Sequence, residues 1–235
     1  MPVFFFCAAA SSAALSLYLC SSFMMILTSL HQVAAQLAGQ LRLTSWLEYF
    51  AVVMGMASVL LSRANHIYTY PTGIAGTLVS ILLFVQTGLY AEAGLNVYYF
   101  VMSVYGWWKW SRKTAQQEVL PVTMNGAQDW FYTVLFVVVG WPVLWAILHF
   151  GTNSTVPVLD AFVSATAWCG MWLMARRKAE NWLLLNLSNI VAIFLLWYKG
   201  LYFMSLLTLF LFIVAIFGYF SWRKTALQRE QKVPA

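Results

Sequence analysis

The chain has 235 residues, 62% of them hydrophobic and only 9% charged, against roughly 45–50% apolar and roughly 25% charged in soluble domains. A soluble globule cannot hide that much apolar surface, which leaves an all-α integral membrane protein. The formal net charge of +6 would suit nucleic acid, but its distribution along the chain explains it as membrane topology and excludes a nucleic-acid partner.

Crossing roughly 30 Å of hydrocarbon takes about 20 helical residues, whose backbone must satisfy its own hydrogen bonds. The first apolar run, 4–30, could be read as a signal peptide with Val33-Ala34-Ala35 as its cleavage region. No Lys or Arg precedes the run, however, and it is longer than a usual signal core. Residues 1–45 are therefore read as an extra transmembrane helix and loop outside the functional core. Spans follow at 46–63, 70–87 and 91–110, which with their basic tail make a first three-helix unit, 46–115. The polar stretch Ser111–Gln128 holds Pro121, Asn125 and Gly126 and reads as a linker; with a span at 129–150 it fills residues 116–156. Spans at 157–175, 181–198 and 201–222 make a second unit, 157–226, and residues 227–235 are a tail. The connections at Gly88 and Gly200 are so short that the helices they join must be antiparallel.

Eight spans put Arg63, Lys109, Arg112, Lys113, Arg176, Arg177, Lys178, Arg223, Lys224, Arg229 and Lys232 on one side, leaving only Arg42 and Lys199 on the other. That asymmetry predicts two cytoplasmic termini. Cys7, Cys20 and Cys169 lie inside apolar runs without metal-ligand spacing, so neither a disulfide framework nor a metal site is expected.

Sliding the chain on itself gives a register of 112: Leu47-Glu48 matches Leu159-Asp160, Gly88-Leu89-Tyr90 matches Gly200-Leu201-Tyr202, Gly106 matches Gly218, and Trp110 matches Trp222. Three helices per repeat is an odd number, so the span at 129–150 reverses the chain and lets both repeats run parallel. This 3+1+3 plan, plus one N-terminal helix, is the architecture of transporters that hold substrate near the midplane between two halves.

Polar residues inside spans usually face the bundle interior. Trp182, Asn186 and Asn189 fall on one face of their helix, as do Asn96, Phe100, Ser103 and Trp107 of another. Thr69, Thr72, Gly76 and Ser80 form a third stripe, with Gln86 near the far end. Ser and Thr in spans more often glue helices together. Thr72, Gln86, Asn96, Phe100, Trp182, Asn186 and Asn189 are the candidate substrate contacts. Trp107, Trp108, Trp110 and Trp222 fit an interfacial belt. Glu48 and Asp160 read as helix caps or as acids that gather cations at the outer mouth. No titratable group falls mid-span, and no enzyme motif or cofactor cradle occurs, so catalysis and cofactors are not expected.

Tyr70-Pro71-Thr72-Gly73-Ile74, Gly88-Leu89-Tyr90-Ala91-Glu92, Asn96-Val97-Tyr98-Tyr99-Phe100 and Ser103-Val104-Tyr105-Gly106-Trp107 occur in order in the first half. Trp182-x-x-x-Asn186 and Gly218-Tyr219-Phe220-x-Trp222 follow in the second. These pieces resemble the PnuC family of bacterial vitamin transporters over most of residues 46–225. The resemblance implies uptake of nicotinamide riboside by facilitated diffusion across the bacterial inner membrane, with cytoplasmic phosphorylation trapping the product. It also implies a SWEET-like architecture and a homo-oligomer, a trimer being the first expectation. Relatives of the same architecture carry thiamine or riboflavin, and a non-transporting, receptor-like protein is the remaining alternative. A cationic pyridinium suits an aromatic pocket, and its carboxamide and ribose hydroxyls suit Asn and Gln.

Overall fold

A computed structural model describes residues 28, 31–88, 90–112, 120–152 and 154–231. The run read as the first span lies almost wholly outside the described residues. The chain divides into two compact units at Thr44/Ser45. In the first, residues 31–43 are helical rather than the loop expected there. Ala, Gln and Leu dominate that stretch and favour helix, and the Thr44 hydroxyl donates to the Gln40 carbonyl at its end (2.7 Å).

The second unit holds seven helices: α1 (Trp46–Arg63), α2 (Thr69–Gln86), α3 (Tyr90–Ser111), α4 (Ala127–Gly151), α5 (Pro157–Ala175), α6 (Asn181–Tyr198) and α7 (Tyr202–Glu230). The expected spans agree with these within two residues at every end but one. Helix α7 runs on to Glu230 because Ala226, Leu227, Gln228 and Arg229 are strong helix formers. Ala226 also adds a buried contact to the core. Ser45 and Glu48 start α1 with a capping box, Glu48 N–H donating to the Ser45 hydroxyl (3.3 Å) and Ser45 N–H to the Glu48 carboxylate (2.6 Å). Pro157 opens α5 at a position where its missing N–H costs nothing.

Among the described residues, six of these helices are long and apolar enough to cross a membrane. The exception is α3, whose 22 residues include four Tyr, three Trp, Glu92 and Lys109. Large apolar side chains stand exposed all along the other helices, Val53, Leu82, Val138, Phe194 and Phe217 among them. Faces of that kind are what lipid covers.

Consecutive helices pack as two antiparallel triplets, α1–α2–α3 and α5–α6–α7, while α4 packs on α5. The triplets meet through α3 with α5 and through α1 with α7. Helix α2 begins and ends 112 residues before α6. The left-handed backbone positions recur at the same interval: Asn65 (φ 57°) with Arg177 (φ 56°), and Gly88 (φ 76°) with Gly200 (φ 72°). Asn and Gly tolerate that conformation, whereas Arg does so at a cost.

The largest core cluster lies at the end where the α1–α2 turn, the α5–α6 turn and the linker meet. It contains Tyr70, Trp110, Val122, Met174, Ala179, Trp182, Ala215, Trp222 and Ala226.

Candidate functional site

At the first turns of α2 and α6 stand Tyr70 and Trp182, 112 residues apart and both buried. Each ring lies on a glycine of the third helix in its own triplet. A Cβ on Gly106 would come within 2.3 Å of the Tyr70 ring, and one on Gly218 within 2.6 Å of the Trp182 ring. Only glycine allows so close an approach. Tyr70 meets Trp110 edge-on at 4.9 Å, Trp110 meets Trp222 at 5.9 Å, and Trp222 meets Trp182 edge-on at 5.8 Å. Four aromatic side chains therefore run unbroken from one half to the other.

The halves also touch through equivalent residues. The Ser62 hydroxyl lies 3.5 Å from the Met174 sulfur, and an Arg177 Nη lies 3.5 Å from the Asn65 carbonyl, each pair 112 apart. Trp222 Nε1 donates across the interface to the Ser62 carbonyl (3.0 Å). Trp110 and Trp222, expected in an interfacial belt, are 2% and 1% exposed. That expectation is corrected: both face the opposite half. Trp107 and Trp108 are exposed, as a belt requires.

On α6, Trp182 is fully buried with no partner for its Nε1, and one turn further the buried Asn186 Oδ1 has none either. Buried polar atoms are normally paired, and each exception calls for an explanation. Asn189 is half-buried on the same face. The other candidates fare differently. The Thr72 hydroxyl donates to the carbonyls of Tyr68 (2.8 Å) and Thr69 (3.1 Å). Ser80 likewise donates back to Gly76 (3.0 Å), whereas Thr69 of the same stripe donates across to the Ser58 carbonyl of α1 (2.8 Å). Asn96 is half-buried and donates from Nδ2 to the Glu92 carbonyl (2.9 Å). Phe100 is half-buried on α3, and Gln86 is exposed at the last residue of α2. The structure gathers Trp182 with Tyr70, Trp110 and Trp222, and not with Gln86 or Asn96, which lie toward the opposite end of their helices.

Arg177 carries no signal in the sequence beyond membrane side, yet it is only 7% exposed. Its guanidinium lies 3.9 Å from the centre of the Trp110 ring and donates to the Leu120 carbonyl of the linker. Burial holds that guanidinium below its ordinary pKa. The linker is pinned beside it: Thr123 N–H donates to the Arg177 carbonyl (3.1 Å), Ala179 N–H to the Thr123 carbonyl (3.0 Å), and Asn125 N–H to the Glu180 carboxylate (2.9 Å). Asp129 pairs with Arg176 (3.1 Å) and Lys178 (2.7 Å).

At the other end, Lys199 holds both carboxylate oxygens of Asp160 at 2.8 Å, and the Ser154 hydroxyl donates to Asp160 as well. Glu48 caps its helix. Asp160 thus has a cation of its own. Cys169 is buried against the Thr133 carbonyl, and no group of three or more metal-ligating side chains occurs among the described residues.

A family model described as "Nicotinamide mononucleotide transporter" matches residues 45–224. The chain is similar to the nicotinamide riboside transporter PnuC of Escherichia coli (strain K12), at 27% identity over 213 residues that cover 80% of this chain and 89% of that protein. It is similar to the protein of the same name from Neisseria mucosa, at 27% identity over 192 residues, covering 77% of this chain and 73% of that one. A solved structure described as "Crystal structure of the Vitamin B3 transporter PnuC" matches with a TM-score of 0.63 at 25% identity, covering 85% of this chain and 90% of the other.

Proposed function

The chain belongs to the nicotinamide mononucleotide transporter family, and on that premise we propose that it carries nicotinamide riboside across the bacterial inner membrane by facilitated diffusion. The riboside enters the cytoplasm down its gradient, and phosphorylation there traps it. The protein is a carrier rather than an enzyme.

The observation that carries this reading is the pair on α6: a buried indole at Trp182 and, one turn deeper, the buried, unpartnered amide oxygen of Asn186. A pyridinium ring gains from an aromatic face through cation–π attraction, and a carboxamide N–H or ribose hydroxyl supplies the donor that Asn186 lacks. The mononucleotide fits less well. Its phosphate calls for Arg or Lys at mid-span, and no Arg or Lys stands in the apolar middle of a described helix. Asn189, Phe100, Asn96 and Gln86 are proposed to complete the contacts at successive depths of the path, the Thr72 hydroxyl being held by its own helix.

The proposed architecture is two parallel three-helix repeats joined by α4, in the manner of SWEET transporters, with an extra N-terminal helix. Recurrence of helix bounds, left-handed positions and ring-on-glycine packing at 112 residues supports it. Helix α3 crosses the membrane with the rest, since a three-residue turn ties it antiparallel to α2. The linker end is cytoplasmic, supported by the cluster of Lys and Arg there, and the assembly is a homo-oligomer, with a trimer as the first model to test.

Calorimetric titration with nicotinamide riboside tests the site. Asn186→Ala should weaken binding by tenfold or more, corresponding to about 1–3 kcal/mol for a ligand group left without its partner. Competition by thiamine or riboflavin stronger than that of the riboside would move the assignment to those vitamins.

A further inference from the structure

We propose that Arg177 is the latch that holds the linker end of the path shut, and that inward opening withdraws its guanidinium into the cytoplasm. This rests on the transporter reading and on the proposed orientation, but not on which vitamin is carried.

Three contacts define the latch. From the α5–α6 turn of the second half, the guanidinium covers Trp110 of the first half, bonds the Leu120 carbonyl of the linker, and reaches the Asn65 carbonyl of the α1–α2 turn. One side chain thereby ties the second repeat to the linker and to two elements of the first. The Trp110 ring it covers belongs to the four aromatic rings in contact from one half to the other.

Its partners make the latch releasable. Arg176 and Lys178 pair with Asp129, and Lys199 with Asp160, whereas the Arg177 guanidinium is held by carbonyls and a ring. A buried cation held by carbonyls and a ring face, with no carboxylate against it, regains hydration when it leaves. The same layer holds buried atoms without partners: Asn65 Oδ1, Tyr70 Oη, Trp110 Nε1 and Glu180 Oε2. All four would gain water on opening. The shut state is thus held by packing and geometry against a polar layer that favours the open one, which suits a gate that must release in every cycle. A Lys has a single ammonium and cannot cover the ring while reaching two carbonyls.

The test uses Ser62→Cys as a probe, since Ser62 is fully buried under the closed layer beside Met174 and Trp222. Maleimide labelling is measured in detergent, above the level of the parent chain, on monodisperse protein. Arg177→Ala should speed labelling of the probe at least tenfold, with Arg177→Lys between the two. Equal rates with and without Arg177→Ala would overturn the latch. If Arg177→Ala is not monodisperse, the paired positions Thr123 and Lys178 decide. Oxidation of Thr123→Cys/Lys178→Cys should cut uptake at least tenfold, reversibly on reduction, while riboside binding persists; oxidised protein that transports like the reduced form overturns the proposal. The labelling uses no cargo, so a parent protein that fails to bind the riboside counts against the proposed cargo alone.

Discussion

The two triplets share a backbone and differ in chemistry. Helix bounds, left-handed turn residues and the ring on glycine recur at the same interval. Yet Tyr70 stands where the second half has Trp182, Ile74 where it has Asn186, and Asn65 where it has Arg177. The indoles on the shared axis differ too: Trp222 Nε1 reaches the Ser62 carbonyl, whereas Trp110 Nε1 has no partner and its ring lies under Arg177. The repeat sets the frame, and at these three positions the second half carries an indole, an amide and a guanidinium in it. Glycine at 106 and 218 is common to both because ring seating belongs to the frame.

The sharpest way to break this comparison is to remove each ring. Trp182→Ala and Tyr70→Ala should each cost about 3–5 kcal/mol of stability, as buried aromatics do, and only Trp182→Ala should also abolish riboside binding measured in the folded fraction. Equal loss of binding from Tyr70→Ala would mean that the halves share the cargo evenly. A middle-sized effect sharpens the frame: Gly106→Ala and Gly218→Ala should each destabilise by about 1–3 kcal/mol through overpacking, seen as matched drops in melting temperature. A large mismatch would show that the two seats are not equivalent. The smallest effect is expected at the far ends, where Asp160 pairs with Lys199 while Glu48 caps its own helix. Lys199→Ala should change stability by about 0.2–1 kcal/mol, as partly exposed pairs do, and leave binding unaltered in the same titration.

Helix positions were legible because apolar runs broken by short polar turns leave little freedom, and the repeat because glycine and aromatic positions recur at one spacing. Trp182 and Asn186 were legible as a helical stripe. Trp110 and Trp222 were not: at the end of a span, an indole bound for a lipid interface and one bound for the opposite half look alike along the chain. Tyr70 was within reach, since adding 112 to its number gives Trp182. Arg177 was hidden among the neighbouring Arg176 and Lys178, because a basic cluster marks a membrane side without saying which member turns inward. Thr72 shows the opposite limit, as a polar residue on the right stripe whose hydroxyl bonds its own helix.

The central claim is tested most directly by uptake of labelled nicotinamide riboside into kinase-free liposomes containing the protein. With no carboxylate or histidine at mid-span of the described helices, uptake should level off when inside and outside concentrations are equal, at the same level with or without a pH gradient, and Asn186→Ala should slow the approach at sub-saturating riboside. Accumulation above the outside concentration when a proton or sodium gradient is imposed would contradict facilitated diffusion, and no uptake above protein-free liposomes would contradict the assigned cargo.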